Sequence, residues 1–386
     1  MSAVNRRVPC LICALMVFLC VSTNSTADRE APDFYTWIES EPGRSASLAQ
    51  MKQQCDDVRD PEKNLKCSVS VLARMFEDKA ANQLPDYYLA IKRRHAGAIA
   101  NDPELKPLFS MFGSESLATL RQVADFSVTQ TKHHEVLPIH PYPSDGQSTD
   151  EVLPYIDVKA ANGVSARFIL DTGAPQTRVN TETAKLMGIR LLTDSHYGYS
   201  TFYGERDLAA QLGILESLKI GAREFRNVLV FVSDRDNLLG LDLIGKSGRL
   251  KVTKKTLEIN AAPPTRCDSP ITYARMDFNQ RLTIAARLDR RATLAIIDTG
   301  NVDYLTSSSP GHSPDNVTPS HRTYRGELSL AGRIRSITYK YYPDYTIPPS
   351  MLLGQYVPSI LLGWGAFNDY ELNLDIASGL SCFNRV

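Results

Sequence analysis

The sequence predicts a mostly β protein built of two similar lobes behind an α-helical N-terminal region. Three observations predict it. Apolar residues recur at helical spacing up to about residue 128, and from residue 155 onward the chain breaks into short β-rich runs. Within those β-rich runs the same pattern, an apolar strand running into Asp-Thr-Gly, occurs twice.

Length and composition narrow the function classes. At 386 residues the chain is long enough for more than one domain of ~100–200 residues. Lys plus Arg (43) balances Asp plus Glu (43), so no basic excess exists to neutralise a phosphate backbone, and nucleic acid is not an expected partner. An apolar share of 43% and a charged share of 22% exclude wholesale disorder.

Residues 1–27 read as a signal peptide. Arg6 and Arg7 precede an apolar run, Val8–Val21, and Ser25-Thr26-Ala27 supplies a small-residue cleavage site. The run of 14 residues is short of the ~20 a spanning helix needs, so no stable membrane span is expected. The expectation is export, to a periplasm or the extracellular space. Cys55, Cys67, Cys267 and Cys382 remain after cleavage and allow three pairings. The local one, Cys55–Cys67 with Cys267–Cys382, keeps each bridge inside one expected domain. Four free buried thiols are the alternative if the chain is not exported.

The helical region, 28–137, shows apolar faces at Leu48, Met51, Cys55 and Val58, and at Leu72, Met75 and Phe76 with the aliphatic stem of Lys79. Leu117, Leu120, Val123 and Ala124 repeat the spacing. This region is a propeptide, a module for a protein partner or a structural cap. Residues 138–150, rich in Pro, Ser and Asp, read as a linker. Lobe 1 is expected at 151–265 and lobe 2 at 266–386. Their β-type runs are Tyr155–Val158, Ala166–Leu170, Asn227–Val232, Lys251–Ile259, Arg281–Leu288 and Ala292–Ile297, with Asn162-Gly163 as a hairpin turn.

The repeat fixes the candidate site. Phe168-Ile-Leu-Asp171-Thr172-Gly173-Ala174 is echoed by Leu294-Ala-Ile-Ile-Asp298-Thr299-Gly300-Asn301. Leu238-Leu239-Gly240 places its glycine 69 residues after Asp171, and Leu361-Leu362-Gly363 places its own 65 after Asp298. Each is followed by a further β-type stretch, Leu250–Ile259 and Tyr370–Leu374. A duplication accounts for all four coincidences.

These motifs resemble the retropepsin and pepsin families of aspartic proteases, over roughly residues 150–386. The resemblance implies two retropepsin-like β-barrel lobes with the active site in the cleft between them, and a self-sufficient monomer. It implies Asp171 and Asp298 as a catalytic pair sharing one proton, since two carboxyls ~3 Å apart do not both ionise. One activates a water and the other protonates the peptide carbonyl, with no metal and no cofactor. Thr172 and Thr299 are expected to lock the loops together across the lobes, and Gly173 and Gly300 to let the backbone N–H groups reach the carboxylates. Gly240 and Gly363 would pack beneath. The run His196–Gly204 falls where a covering flap belongs, with Tyr199, Tyr203 and Gly204 as its candidate substrate-binding residues.

Two residues depart from the family pattern. Ala174 and Asn301 stand where pepsins carry Ser or Thr, and the missing hydroxyl should raise the pair's pKa and move activity to mildly acidic pH. The alternative function is an inactive peptide- or protein-binding scaffold on the same lobes. The two differ in carboxyl geometry: hydrogen-bonded in the enzyme, splayed or filled by a side chain in the scaffold. A homodimer acting through lobe 1 alone is a third reading. Gly240–Ser247 spells a phosphate-loop pattern, but a β-type run and not a helix follows it. His133, His134, Glu135 and His140 read as solvated polar residues rather than metal ligands. Lys92-Arg93-Arg94-His95 reads as a solvated helix face.

Overall fold

Each copy of the repeated pattern folds the same way. The computed structural model describes residues 37, 43, 46–143 except 104 and 130, 152–199, 201, 208–276, 279–343 and 359–386. The expected signal peptide, Tyr203 and Gly204 lie outside the described residues.

In lobe 1 the strands Val152–Ala160 and Ser165–Leu170 form an antiparallel hairpin around Asn162-Gly163, where Gly163 takes a left-handed φ of +86°. Ser165–Leu170 begins exposed and ends fully buried, so its apolar end carries Asp171 into the interior. Leu238 and Leu239 lie parallel to Ile169 and Leu170, and Leu238 also pairs antiparallel with Arg178. Lobe 2 repeats each contact. Arg291–Ile297 pairs antiparallel with Asn279–Leu288, Ile360–Leu362 lies parallel to Ala295–Ile297, and Leu305–Ser307 runs antiparallel on its other side.

A third sheet joins the lobes. Its strand order is Ser269–Pro270, Cys382–Arg385, Tyr370–Leu374, Leu250–Val252, Thr256–Ile259, Glu135–Pro138. The joint is the antiparallel register of Leu250, Lys251 and Val252 against Leu374, Asn373 and Leu372. The run Lys251–Ile259, read from sequence as one strand, is a hairpin instead. The Thr253 hydroxyl accepts the N–H groups of Lys255 (3.2 Å) and Thr256 (3.0 Å), a side-chain turn that apolar alternation does not reveal.

The N-terminal helices are α1 (Leu48–Asp56), α2 (Pro61–Glu77), α3 (Leu84–Arg94), α4 (Ala96–Asn101), α5 (Leu105–Leu108) and α6 (Ser114–Arg121). Ser47 and Gln50 form a capping box on α1; Asp60 caps α2, with Pro61 in its first turn. The predicted faces are buried at Met51, Cys55, Leu72, Met75, Leu117 and Leu120, but Ala124 is exposed. They share one core with Leu212, Ile214, Leu229 and Phe231 of lobe 1. Beyond α6 the chain is stitched into the body. Ser127–Val128 pairs with Arg226 and Phe225, Glu135–Pro138 with Thr256–Ile259, and His140–Pro143 with Val152–Tyr155. Some of the stretch read as a linker is therefore a strand; residues 144–150 lie outside the described residues.

Cys55 bonds Cys67 within the α1–α2 pair, and Cys267 bonds Cys382 in lobe 2. Among the described residues no helix is long and apolar enough to cross a membrane. The histidine cluster is dispersed. His134 meets Glu258 at 3.0 Å, His140 meets Asp157 at 3.4 Å, and Glu135 accepts the Ala222 N–H. Lys92, Arg93 and Arg94 are exposed at the end of α3, whereas His95 is buried against Asn64 at 2.9 Å. The phosphate-loop lookalike holds a four-residue helix, Leu241–Ile244, then a strand, and its Lys246 ammonium sits 2.8 Å from Asp78.

Candidate active site

The two Asp-Thr-Gly loops meet at the seam between the lobes. Strand ends place them there: the Asp171 N–H donates to Leu239 O at 3.0 Å, and the Asp298 N–H to Leu362 O at 2.9 Å. Both carboxyls are more than nine-tenths buried, each lies against the opposite lobe's glycine, and each acts on the other's ionisation.

The threonines cross the seam reciprocally. Thr172 Oγ1 donates to Ile297 O at 2.8 Å and accepts the Thr299 N–H at 3.1 Å. Thr299 Oγ1 donates to Leu170 O and accepts the Thr172 N–H at 3.0 Å. Each hydroxyl thus satisfies two buried backbone groups of the opposite lobe.

The glycines serve a purpose the sequence reading did not anticipate. Neither has a left-handed φ. What each requires is space for the opposite lobe. A Cβ on Gly300 would lie 2.5 Å from Asp171 Cγ, and one on Gly173 would overlap the Asp298 carboxyl. Gly240 packs beneath the first loop, where a Cβ would stand 2.6 Å from the Gln176 carbonyl carbon; Gly363 packs against Asn301 and Asp303 in the same way.

The two carboxyls are not equivalent. Asp171 Oδ1 accepts the N–H groups of Gly173 and Ala174, both at 2.9 Å. Asp298 Oδ1 accepts that of Gly300 at 3.0 Å. Burial raises the pKa of Asp171, opposed by those two donors and the charge of Arg178. Burial, then the neighbouring Asp171 charge, push Asp298 well above the ordinary carboxyl range. Both shifts run upward, and Asp171 has the more stabilising surroundings for a charge, with one more N–H donor and the charge of Arg178. The Asn301 amide, at the position where the family pattern has a hydroxyl, is engaged elsewhere. Its Nδ2 donates to Thr306 Oγ1 and its Oδ1 accepts the Asp303 N–H, both at 3.0 Å.

Tyr199 lies in Tyr197–Tyr199, a strand paired with Leu208–Ala210. Its hydroxyl is 3.3 Å from Ser233 Oγ and its ring lies under the Arg178 guanidinium at 5.3 Å. It therefore contacts the arginine whose charge acts on Asp171.

Sequence reasoning missed Lys79. Read as an aliphatic stem, it is fully buried to its ammonium, which pairs with Asp242 and donates to Leu229 O at 2.8 Å and Gln176 Oε1 at 3.1 Å. Its one sequence signal is a lysine at the end of an apolar helix face.

Parts of the chain are similar to known proteins. The family model described as "gag-polyprotein putative aspartyl protease" matches residues 158–246, which include Asp171-Thr172-Gly173 and Leu238-Leu239-Gly240. Among solved structures, the chain is similar to an aspartic proteinase from Irpex lacteus. That likeness has 12% identity and a TM-score of 0.44, over 66% of this chain and 98% of that one. It is also similar to a retropepsin-like aspartic protease from Rickettsia conorii, at 26% identity and a TM-score of 0.26, over 35% of this chain and 92% of that one. No curated protein matches the chain. Residues 158–246 thus carry the aspartyl-protease match, and the paired Asp-Thr-Gly loops give the chain the two-carboxyl arrangement of an aspartic-type endopeptidase.

Proposed function

We propose that the chain is an exported, single-chain endopeptidase whose catalytic pair is Asp171 and Asp298. The observation that carries this reading is the contact between two buried carboxyls with unequal hydrogen bonding. Asp171, charged and held by two backbone N–H groups, takes a proton from water as it attacks the peptide carbonyl. Asp298 gives its proton to the carbonyl oxygen, and the pair then returns a proton to the leaving amine. Thr172, Gly173, Thr299 and Gly300 hold the two loops in register. The substrate is a polypeptide bound in extended form along the cleft, with Tyr199, Tyr203 and Gly204 in the covering flap. An inactive scaffold would instead carry splayed or filled carboxyls, so their contact favours the enzyme.

The raised pKa of Asp171 supports activity at mildly acidic rather than strongly acidic pH, because Asp171 must be ionised and burial resists ionisation. Both disulfides accord with an oxidising compartment. The test is a mixed peptide library from pH 3 to 7 with the mature chain, Asp171→Asn and Asp298→Asn. Cleavage that survives both substitutions, or a profile flat to pH 8, contradicts the reading. N-terminal sequencing of the exported chain, expected to begin at Asp28, tests export.

A further inference from the structure

We propose that the N-terminal helical region is a standing component of the catalytic body, not a removable prosegment, and that Lys79 is the positioning residue through which it holds the Asp171 loop. This rests on the reading of Asp171 and Asp298 as the catalytic pair.

Lys79 occupies a position that a helix end ordinarily gives to glycine. It closes α2 with φ +57°, its N–H donating to Phe76 O at 3.2 Å and the next N–H, of Ala80, to Met75 O at 2.9 Å. A lysine there is conformationally disfavoured, and burying its ammonium is disfavoured again. Both penalties point to what the side chain reaches. Gln176 belongs to the loop whose Gly173 and Ala174 N–H groups hold the Asp171 carboxylate. Asp242 accepts Thr177 N at 2.9 Å and Thr177 Oγ1 at 2.7 Å. Lys79 therefore closes a ring through Gln176, Thr177 and Asp242 directly behind the loop.

Lobe 2 shows the same device built from its own chain. Asp303 stands as far beyond Asp298 as Gln176 stands beyond Asp171. It accepts the Lys340 ammonium at 2.7 Å, from the strand Arg333–Tyr341 of the same lobe. Each loop thus carries a lysine at the corresponding acceptor, and lobe 1 borrows its lysine from the helices. The helices reach further. Glu77 Oε1 accepts the Gln280 N–H of lobe 2 at 3.1 Å. His196 N donates to Met111 O at 2.8 Å and Gly113 N to Asp194 O at 3.0 Å, which anchors the base of the hairpin carrying Tyr199. Cleaving the helices away would remove the cation paired with the buried Asp242 carboxylate and free that base.

Two measurements test this on the full-length exported protein. Hydrogen exchange of Lys79→Met against the parent reads the loop without any substrate. Residues 171–177 are expected to exchange at least tenfold faster, with 297–303 unchanged. On a cleaved peptide, kcat is expected to fall at least tenfold with KM within about threefold. Unchanged exchange at 171–177, or an equal rise in both lobes, overturns the positioning role. Intact-mass and N-terminal analysis of the species that cleaves peptide decides retention, and still decides it if Lys79→Met does not fold. An active species that keeps the Cys55–Cys67 bridge supports the proposal; a fully active one beginning after residue 143 overturns it. If no peptide is cleaved under any condition, the protease reading fails, and the exchange result still decides the role of Lys79.

Discussion

Replacing Thr299 by Val keeps the side-chain outline and deletes one hydroxyl. That hydroxyl donates to the Leu170 carbonyl and accepts the Thr172 N–H. Leu170 and Thr172 are both 0% exposed, so neither stranded group finds water. Each buried, unpaired backbone group costs about 1–3 kcal/mol, so the substitution should destabilise by about 2–6 kcal/mol. Against a typical stability of about 5–15 kcal/mol this is large. Thr172→Val strands Ile297 O and the Thr299 N–H and should cost a similar amount. The two hydroxyls stand 3.4 Å apart in one network, so the double variant should depart from additivity by about 0.5–3 kcal/mol. Urea unfolding with both disulfides intact measures all three. Losses below about 0.5 kcal/mol for both single variants would refute the claim that these hydroxyls join the lobes.

Other expectations follow from the same structure. Asp298→Asn should cut peptide cleavage by about 10²–10⁴-fold. Because Asp298 is protonated well above the ordinary carboxyl range, the native chain binds more protons than the unfolded one there, and stability falls as pH rises through the folded value. The Asn variant should therefore melt higher than its parent near neutral pH, with the gap closing below about pH 4; a constant gap would contradict the raised pKa. Removing Cys267–Cys382, with a sequence separation of 115, should cost about 4–5 kcal/mol, and removing Cys55–Cys67, with a separation of 12, about 3 kcal/mol, read from denaturant midpoints of paired Ala variants. Millimolar ATP should leave the melting temperature unchanged, since Lys246 is held by Asp78 and no long helix opens behind Gly245; a saturable rise would restore the phosphate-loop reading.

The local pattern of the chain carried much of this protein. Apolar runs ending in Asp-Thr-Gly become strands that deliver two carboxyls, because period and burial are written residue by residue. The Leu-Leu-Gly pairs become the short strands beside them, and the helix faces of α1, α2 and α6 bury as their spacing requires. Tertiary structure alone decided what depends on partners distant in the chain. The Leu250–Ile259 turn is the local exception, made by Thr253 bonding its own neighbours, which apolar alternation does not record. Gly173 and Gly300 are needed for the space occupied by the other lobe's carboxyl. The two carboxyls are unequal because Asp171 collects one more N–H and the charge of Arg178, while Asn301 is drawn away by Thr306. Lys79 is buried because a carboxylate from another region of the chain meets it. Periodicity reports which face of an element is apolar; charge pairing across the fold depends on distances that only packing sets.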